Sequence, residues 1–384
     1  MRLQTPLGHG RLLARPGDRR LCLLDASASA LWDLQASGLE PETLVDLLVA
    51  RFRLPAEQAR DQVMTLCADW RRAGLLDTAG ETAAAWRLGT PDEPVWPASQ
   101  PHPLAPGAWV LPVADRRVGV GCDDPPLRRR LLRMLAPETA AEPAQVDHAL
   151  RLDGTIADWR LLCDGAPLDQ GQGLDAALVA LLAALTELGC RPAERLIVLH
   201  GAGLVTPDGA GLLLVAPGGS GKTTLAAALN AAGHGLLSDD VVPVGLGGEL
   251  WGLGLPLCLK PGSWPVLASR RPALAHTPTT ARLGCEVRYL PARGPRPTGP
   301  IRTGALFLSR YRPGQPPTCV PIGPEAALRG IIAAEAVLRD LTQAKLEALA
   351  RWVTRVPAWR LTYPDLESGL ALIAAIRARP GAQP

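Results

Sequence analysis

The sequence predicts an α/β domain built around a strand, a glycine-rich turn and a helix, preceded by a small winged-helix-like α+β domain. Three observations carry that reading. Gly211-Leu-Leu-Leu-Val215 is a short apolar strand that runs directly into Ala216-Pro-Gly-Gly-Ser-Gly-Lys-Thr-Thr224. Residues 108–384 alternate strand-like and helix-like runs, the pattern of an α/β fold. Residues 1–78 instead read as a strand pair followed by three short helices. Between the two, residues 79–107 hold Pro91, Pro94, Pro97, Pro101, Pro103 and Pro106, which suit an extended connector.

In the first domain, His9 to Ala14 and Arg20 to Leu24 alternate apolar and polar residues around Pro16-Gly17-Asp18, a hairpin signal. The first helix is expected over Ala26 to Ala36. The second starts at Pro41-Glu42, with Leu44, Leu47 and Leu48 on one face. The third begins after Pro55 and passes Val63, Cys67 and Trp70 before Gly74 supplies a C-terminal cap. Beyond the connector, strands are expected over Trp109 to Val113 and Arg117 to Val120, and helices over Pro126 to Leu135 and Leu174 to Leu188. Leu196 to His200 and Gly211 to Val215 read as buried strands. The C-terminal part offers three more helices, near Pro324 to Arg339, Thr342 to Val356 and Leu366 to Arg379.

Composition excludes several classes. Hydrophobic residues make up 47% and charged residues 20%, an ordinary globular balance. Forty basic against 37 acidic side chains leave +3, too small a surplus to make nucleic acid or an anionic membrane the main partner. The longest apolar run, Ala176 to Leu185, is far short of the ~20 residues of a membrane span. The N-terminus lacks the apolar stretch of a secretory signal. Eight cysteines stand singly, without a CxxC pair, which suits a reducing compartment and a cytoplasmic protein.

Lysine is the informative residue. Only Lys222, Lys260 and Lys345 occur, and Lys222 falls at the diagnostic position of the glycine-rich turn. Strand, turn and helix N-terminus in that order form a P-loop. Gly218, Gly219, Ser220 and Gly221 let backbone N–H groups converge on a polyphosphate, and Lys222 would reach its β- and γ-phosphates. Thr223 would offer its hydroxyl to Mg²⁺, with Thr224 beside it. ATP and Mg²⁺ are therefore the expected cofactors. Downstream, Asp239-Asp240 end an apolar stretch. One carboxylate would face the phosphates as a base while the other supports the cation; a turn-forming pair is the competing reading.

His200-Gly201, the P-loop, Gly233-His234 and Asp239-Asp240 resemble, in order and spacing, the HPr kinase/phosphorylase family, over roughly residues 190–370. The shorter HPr-kinase-related proteins are the nearer likeness. Glu249-Leu-Trp-Gly-Leu-Gly is similar to that family's glutamate-containing stretch, and Pro300-Ile-Arg302 to the segment with its active-site arginine. The resemblance implies Asp239 as base with Asp240 beside it, His200 supporting them, and Arg302 stabilising charge on the transferred group. It implies metal ligation by Thr223, Asp240 and Glu249. Trp251 stands where the family has arginine, which argues against the reverse dephosphorylation.

The segment Leu24 to Leu34, the second helix and Asp69 to Leu76 together resemble PqqD-like domains, the recognition elements of ribosomal-peptide modification enzymes. That likeness implies a leader peptide added as a strand beside Arg20, Cys22 and Leu24 and packed on Val63, Cys67 and Trp70. DNA binding is the alternative for a winged helix, but the third helix mixes Arg60, Arg71 and Arg72 with Glu57, Asp61 and Asp69, so no basic face emerges. Combined, the two likenesses imply a kinase that phosphorylates a Ser or Thr hydroxyl of a captured precursor peptide, without nucleic-acid or membrane partners and with a possible homo-oligomer. A nucleotide-gated peptide chaperone without phosphotransfer, and a kinase for a small molecule or protein, stay open.

Overall fold

The computed structural model describes residues 3–16, 21–72, 75, 100–135, 145–191 and 193–378. Arg20, Gly74, Leu76 and connector residues 79–99 lie outside these. The chain divides into two compact units.

In the first unit, β1 (Leu3–Leu7), β2 (Gly10–Ala14) and β3 (Cys22–Leu24) form an antiparallel sheet in that order. The tight turn between β1 and β2 uses Gly8 at φ +58°. Three helices follow: α1 (Ala26–Ala36), α2 (Pro41–Phe52) and α3 (Ala56–Arg72). The Asp25 carboxylate accepts from the Ala28 N–H at 2.8 Å and caps α1, and Pro41 opens α2 where no N–H is needed. One core joins sheet and helices through Leu13, Leu24, Leu31, Leu44, Val63 and Cys67. At its centre Trp32 and Trp70 meet edge to face at 5.2 Å. Residues 323–325 and 338–354 belong to this unit too. The His9 N–H donates to Glu325 Oε1 at 2.9 Å, and Gln343 Nε2 to the Gln4 carbonyl at 2.8 Å. This corrects the expected boundary, which gave every residue after 107 to the second domain. Such long-range contacts leave no local trace in the sequence.

The second unit opens with β4 (His102–Pro103), β5 (Trp109–Val113), β6 (Arg116–Cys122) and α4 (Pro125–Leu135). Then come β7 (Gln145–Val146), β8 (His148–Thr155), β9 (Asp158–Cys163), β10 (Ala166–Gly171) and α5 (Leu174–Cys190). A five-stranded sheet, order β10-β9-β8-β6-β5, shares one apolar cluster with α4 and α5.

The second sheet carries the glycine-rich turn. Its elements are β11 (Ile197–Val205), β12 (Gly211–Val215), α6 (Lys222–Ala231), β13 (Gly235–Ser238), β14 (Val241–Val244) and β15 (Glu249–Leu250). They continue with β16 (Leu257–Leu259), α7 (Trp264–Leu267), β17 (Thr279–Arg282), β18 (Cys285–Leu290), β19 (Ile301–Tyr311) and β20 (Thr318–Ile322). Last are α8 (Pro324–Ala333), β21 (Ala358–Tyr363) and α10 (Leu366–Arg377), while α9 (Gln343–Arg355) belongs up to Thr354 to the first unit. β12 lies between antiparallel β11 and parallel β19, and β19 pairs in parallel with β21. Every residue of β12 is buried, as its unbroken apolar run requires at the centre of a sheet covered on both faces. β16, β17 and β18 form a separate three-stranded sheet.

Candidate functional site

β12 ends at Val215, and α6 starts at Lys222; the turn between them is open toward a cavity of about 600 Å³. Gly219 and Gly221 take φ +74° and +86°, which a side chain would oppose. At Gly221 a Cβ would also press on Tyr311 and Tyr363, so the turn is seated against those rings. Lys222 is buried, and its Nζ donates to the carbonyls of Ala216 at 2.7 Å and Pro217 at 3.0 Å. Burial holds its pKa below the usual lysine value, while Asp239 and Asp240 oppose that. Ser220 Oγ is buried without a partner among the described residues. Thr224 Oγ1 shares a hydrogen bond of 2.7 Å with Ser263 Oγ.

The acid pair occupies the break between β13 and β14, both of which pair with β11. Asp240 takes φ +73°, a left-handed kink that sends consecutive carboxylates to different places. Asp239 is buried. Its Oδ2 accepts from the Cys258 N–H at 3.0 Å, and its Oδ1 has no hydrogen-bond partner among the described residues. Burial pushes its pKa up to about 6, with the Cys258 N–H and the Thr223 hydroxyl pulling the other way. Asp240 lines the cavity. Its Oδ2 accepts from Arg282 Nη2 at 3.1 Å, and its Oδ1 stands 3.7 Å from His200 Nδ1. Burial, aided by the Lys222 charge, lowers the His200 pKa. Gly218 to Thr224, His200 and Asp240 thus line one cavity, and Asp239 lies behind them on the Cys258 N–H.

Glu249 and Arg302 are not part of this gathering. They face each other across β15 and β19, and the neighbouring Thr303 pairs with Gly211 at the start of β12. The turn follows the far end of β12, about 13 Å of strand away. Glu249 instead packs on the Gly245–Gly248 turn and accepts from Trp251 Nε1 at 3.2 Å. β14 runs away from Asp240 before the chain turns back into β15, so Glu249 lies at the opposite end of these strands. Trp251 is part of that remote cluster, with the Arg195 guanidinium 5.8 Å from its ring.

Nine cavity residues escaped the sequence reading, among them Lys260, Ser263, Arg282 and Tyr311. Scarcity was the available signal for Lys260. Arg282 had none, because only the pairing of β17 with β18 brings it in. Arg288, Arg293 and Arg296 do not line this cavity. Arg288 sits on β18 with its guanidinium 4.1 Å from the Trp264 ring. Arg293 and Arg296 line a different cavity of about 350 Å³ with His234.

In the first unit, Val63, Cys67 and Trp70 are each about 1% exposed and belong to the core, so they offer no groove. Their spacing marks the inner face of α3, which a periodicity argument does not separate from a binding face. Cys22 is half-buried and Leu24 buried on β3, whose one pairing among the described residues is with β2. β3 is thus an outer strand of this sheet, as is β1, while Arg20 lies outside the described residues. A cavity of about 900 Å³ opens next to it, lined by Ala28, Leu31 and Leu34 of α1, Leu47 and Leu48 of α2, and Thr65 and Leu66 of α3.

His148, Cys163 and Asp164 bring ligand atoms within 4.8 Å of one another. Arg191 Nη2 approaches His148 Nε2 at 2.9 Å, and His148 Nδ1 lies 2.7 Å from Asp164 Oδ2. Because arginine can only donate, Nε2 must accept and the ring proton points to Asp164, leaving neither nitrogen for a metal.

The described residues thus define a mixed α/β protein with a strand–turn–helix centre and a small α+β unit. The family model of PqqD, coenzyme PQQ synthesis protein D, matches residues 12–76. No curated protein matches the chain.

Proposed function

We propose that this protein is an ATP-dependent kinase that transfers phosphate to a Ser or Thr hydroxyl of a precursor peptide bound through its leader. The observation that carries the reading is the meeting of Lys222, the glycine-rich turn and Asp240 around one cavity, with Asp239 buried behind its wall on the N–H of the lining residue Cys258. The turn and the N-terminus of α6 suit the ATP phosphates, and Lys222, now held by two loop carbonyls, would exchange them for phosphate oxygens. Thr223 and Asp240 are the groups that fit Mg²⁺, a hydroxyl and a carboxylate beside the phosphates; Glu249 is too remote. When bound, Mg²⁺ would neutralise phosphate charge.

Asp239 would take the proton as the acceptor oxygen bonds to the γ-phosphorus and the bond to the β-phosphate oxygen breaks. Its unpartnered Oδ1 suits that role. Arg282, rather than Arg302, is the arginine positioned to stabilise charge there. The PqqD-like residues 12–76 supply the peptide-binding half, with the β3 edge offering main-chain hydrogen bonds to a leader strand. Trp251, where the family has arginine, lies outside the cavity lining, so that departure lends no support to a chaperone without phosphotransfer. The test is Lys222→Ala with a precursor peptide encoded beside the gene: phosphate transfer should vanish and leader binding persist. Normal transfer by that variant would sink the reading.

A further inference from the structure

One residue at the cavity mouth is disfavoured twice. Arg282 and Cys285 pair across the β17–β18 hairpin, leaving a two-residue turn of Leu283 and Gly284. Both turn residues have positive φ, +47° and +76°. Such turns favour Asn or Asp followed by Gly, because a bulky side chain crowds the backbone in the left-handed region. Leucine therefore pays a conformational penalty here. It is also 91% exposed, the most exposed of the large apolar side chains among the described residues. An ordinary polar turn residue would remove both penalties. Strain and an apolar side chain in water coincide on the rim of the cavity that holds Lys222 and Asp240.

The hairpin is tied to the acidic side of that cavity. Arg282, next to Leu283, donates to Asp240 Oδ2 at 3.1 Å and to Cys258 Sγ at 3.1 Å. The Cys258 N–H in turn donates to Asp239. Leu283 is thus anchored to the carboxylates, where an acceptor hydroxyl would give up its proton. The half-exposed Tyr311 adds aromatic surface to the same cavity.

We propose that Leu283 docks an apolar side chain of the acceptor peptide next to the phosphorylated hydroxyl, and so sets sequence preference around it. This rests on the kinase reading above.

The test compares the full-length protein with its Leu283→Asn variant, since asparagine suits the turn and should leave the fold intact or firmer. Fluorescent serine-containing hexapeptides, with Leu, Phe, Gly or Glu beside the serine, are titrated by anisotropy in the presence of a non-hydrolysable ATP analogue. Phosphate transfer to each from ATP is scored separately. The wild type should bind the Leu and Phe peptides about tenfold more tightly than the Gly peptide, the scale of one partly buried apolar side chain. Leu283→Asn should bind all four alike, with an unchanged or higher Tm. Equal binding of all four by the wild type, or an apolar preference that survives in the variant, would overturn the proposal. So would a parallel loss of affinity for the ATP analogue, which would put the nucleotide base on Leu283. Apolar preference without any transfer would support the docking role and count against the kinase reading alone.

Discussion

Asp239 combines burial, a single hydrogen-bonded oxygen and a pKa pushed up to about 6. For a carboxyl raised above its unfolded value, the ionised form is the disfavoured one in the fold. Stability is then fully present below the unfolded pKa and is lost as pH rises through about 4 to 6. Asp239→Asn should abolish transfer yet raise stability at pH 7 by about 2 to 3 kcal/mol, several degrees in Tm, with the gain gone below about pH 4. Thermal melts across pH check this; an unstabilised variant at pH 7 would contradict it. The arginines separate as clearly. Arg282→Ala should lower kcat by about 10²-fold, the scale of losing one charge-stabilising donor, while Arg302→Ala should keep kcat within a few-fold. Steady-state rates of the two variants decide which arginine serves the site. Lys222 was legible because a motif of fixed spacing holds it. Arg282 was not, because only the folding of the β17–β18 hairpin brings it to Asp240. Glu249 and Arg302 misled because they were carried over from short motif likenesses whose strands, β15 and β19, pair away from the cavity.

At the scale of elements, the helices of the first unit were legible because capping and punctuation residues bound them: Asp25 before α1, Pro41 at the start of α2, Pro55 before α3. The strand β1 was missed, since its five residues include Pro6 and precede any alternation strong enough to mark it. The direction of α3 was the harder matter. Its Val63, Cys67 and Trp70 stripe is apolar because it faces the core, and the proposed peptide surface is instead the outer strand β3 and the cavity between α1, α2 and α3. Trp70→Ala should therefore unfold the unit, at a cost of about 3 to 5 kcal/mol. Leu47→Glu, at a side chain 40% exposed on the cavity rim, should leave the melt near wild type and weaken leader binding tenfold or more. Circular dichroism melts beside peptide titrations distinguish the two. A folded Trp70→Ala protein that merely binds less well would restore α3's apolar stripe as the contact surface.

Over the whole molecule, the PqqD match at residues 12–76 and the cavity around Lys222 fall in two different units of one chain. No helix among the described residues is long and apolar enough to cross a membrane. The near-neutral charge that argued against nucleic acid agrees with a peptide partner, and the scarcity of lysine gains meaning from placement: Lys222 and Lys260 both border the cavity. What a linear sequence could not convey was the joining of residues 323–325 and 338–354 to the N-terminal unit, which depends on contacts more than three hundred residues apart in the chain. If leader capture serves catalysis, tethering raises the acceptor's local concentration, and a leader should improve kcat/KM by about 10² or more without changing kcat. The most direct measurement is mass spectrometry of a precursor peptide incubated with the intact protein, ATP and Mg²⁺, with and without its leader. A gain of 80 Da, a single phosphoryl group, that depends on Lys222 and is strongly favoured by the leader is the predicted result. An unmodified peptide, or modification indifferent to both, would contradict it.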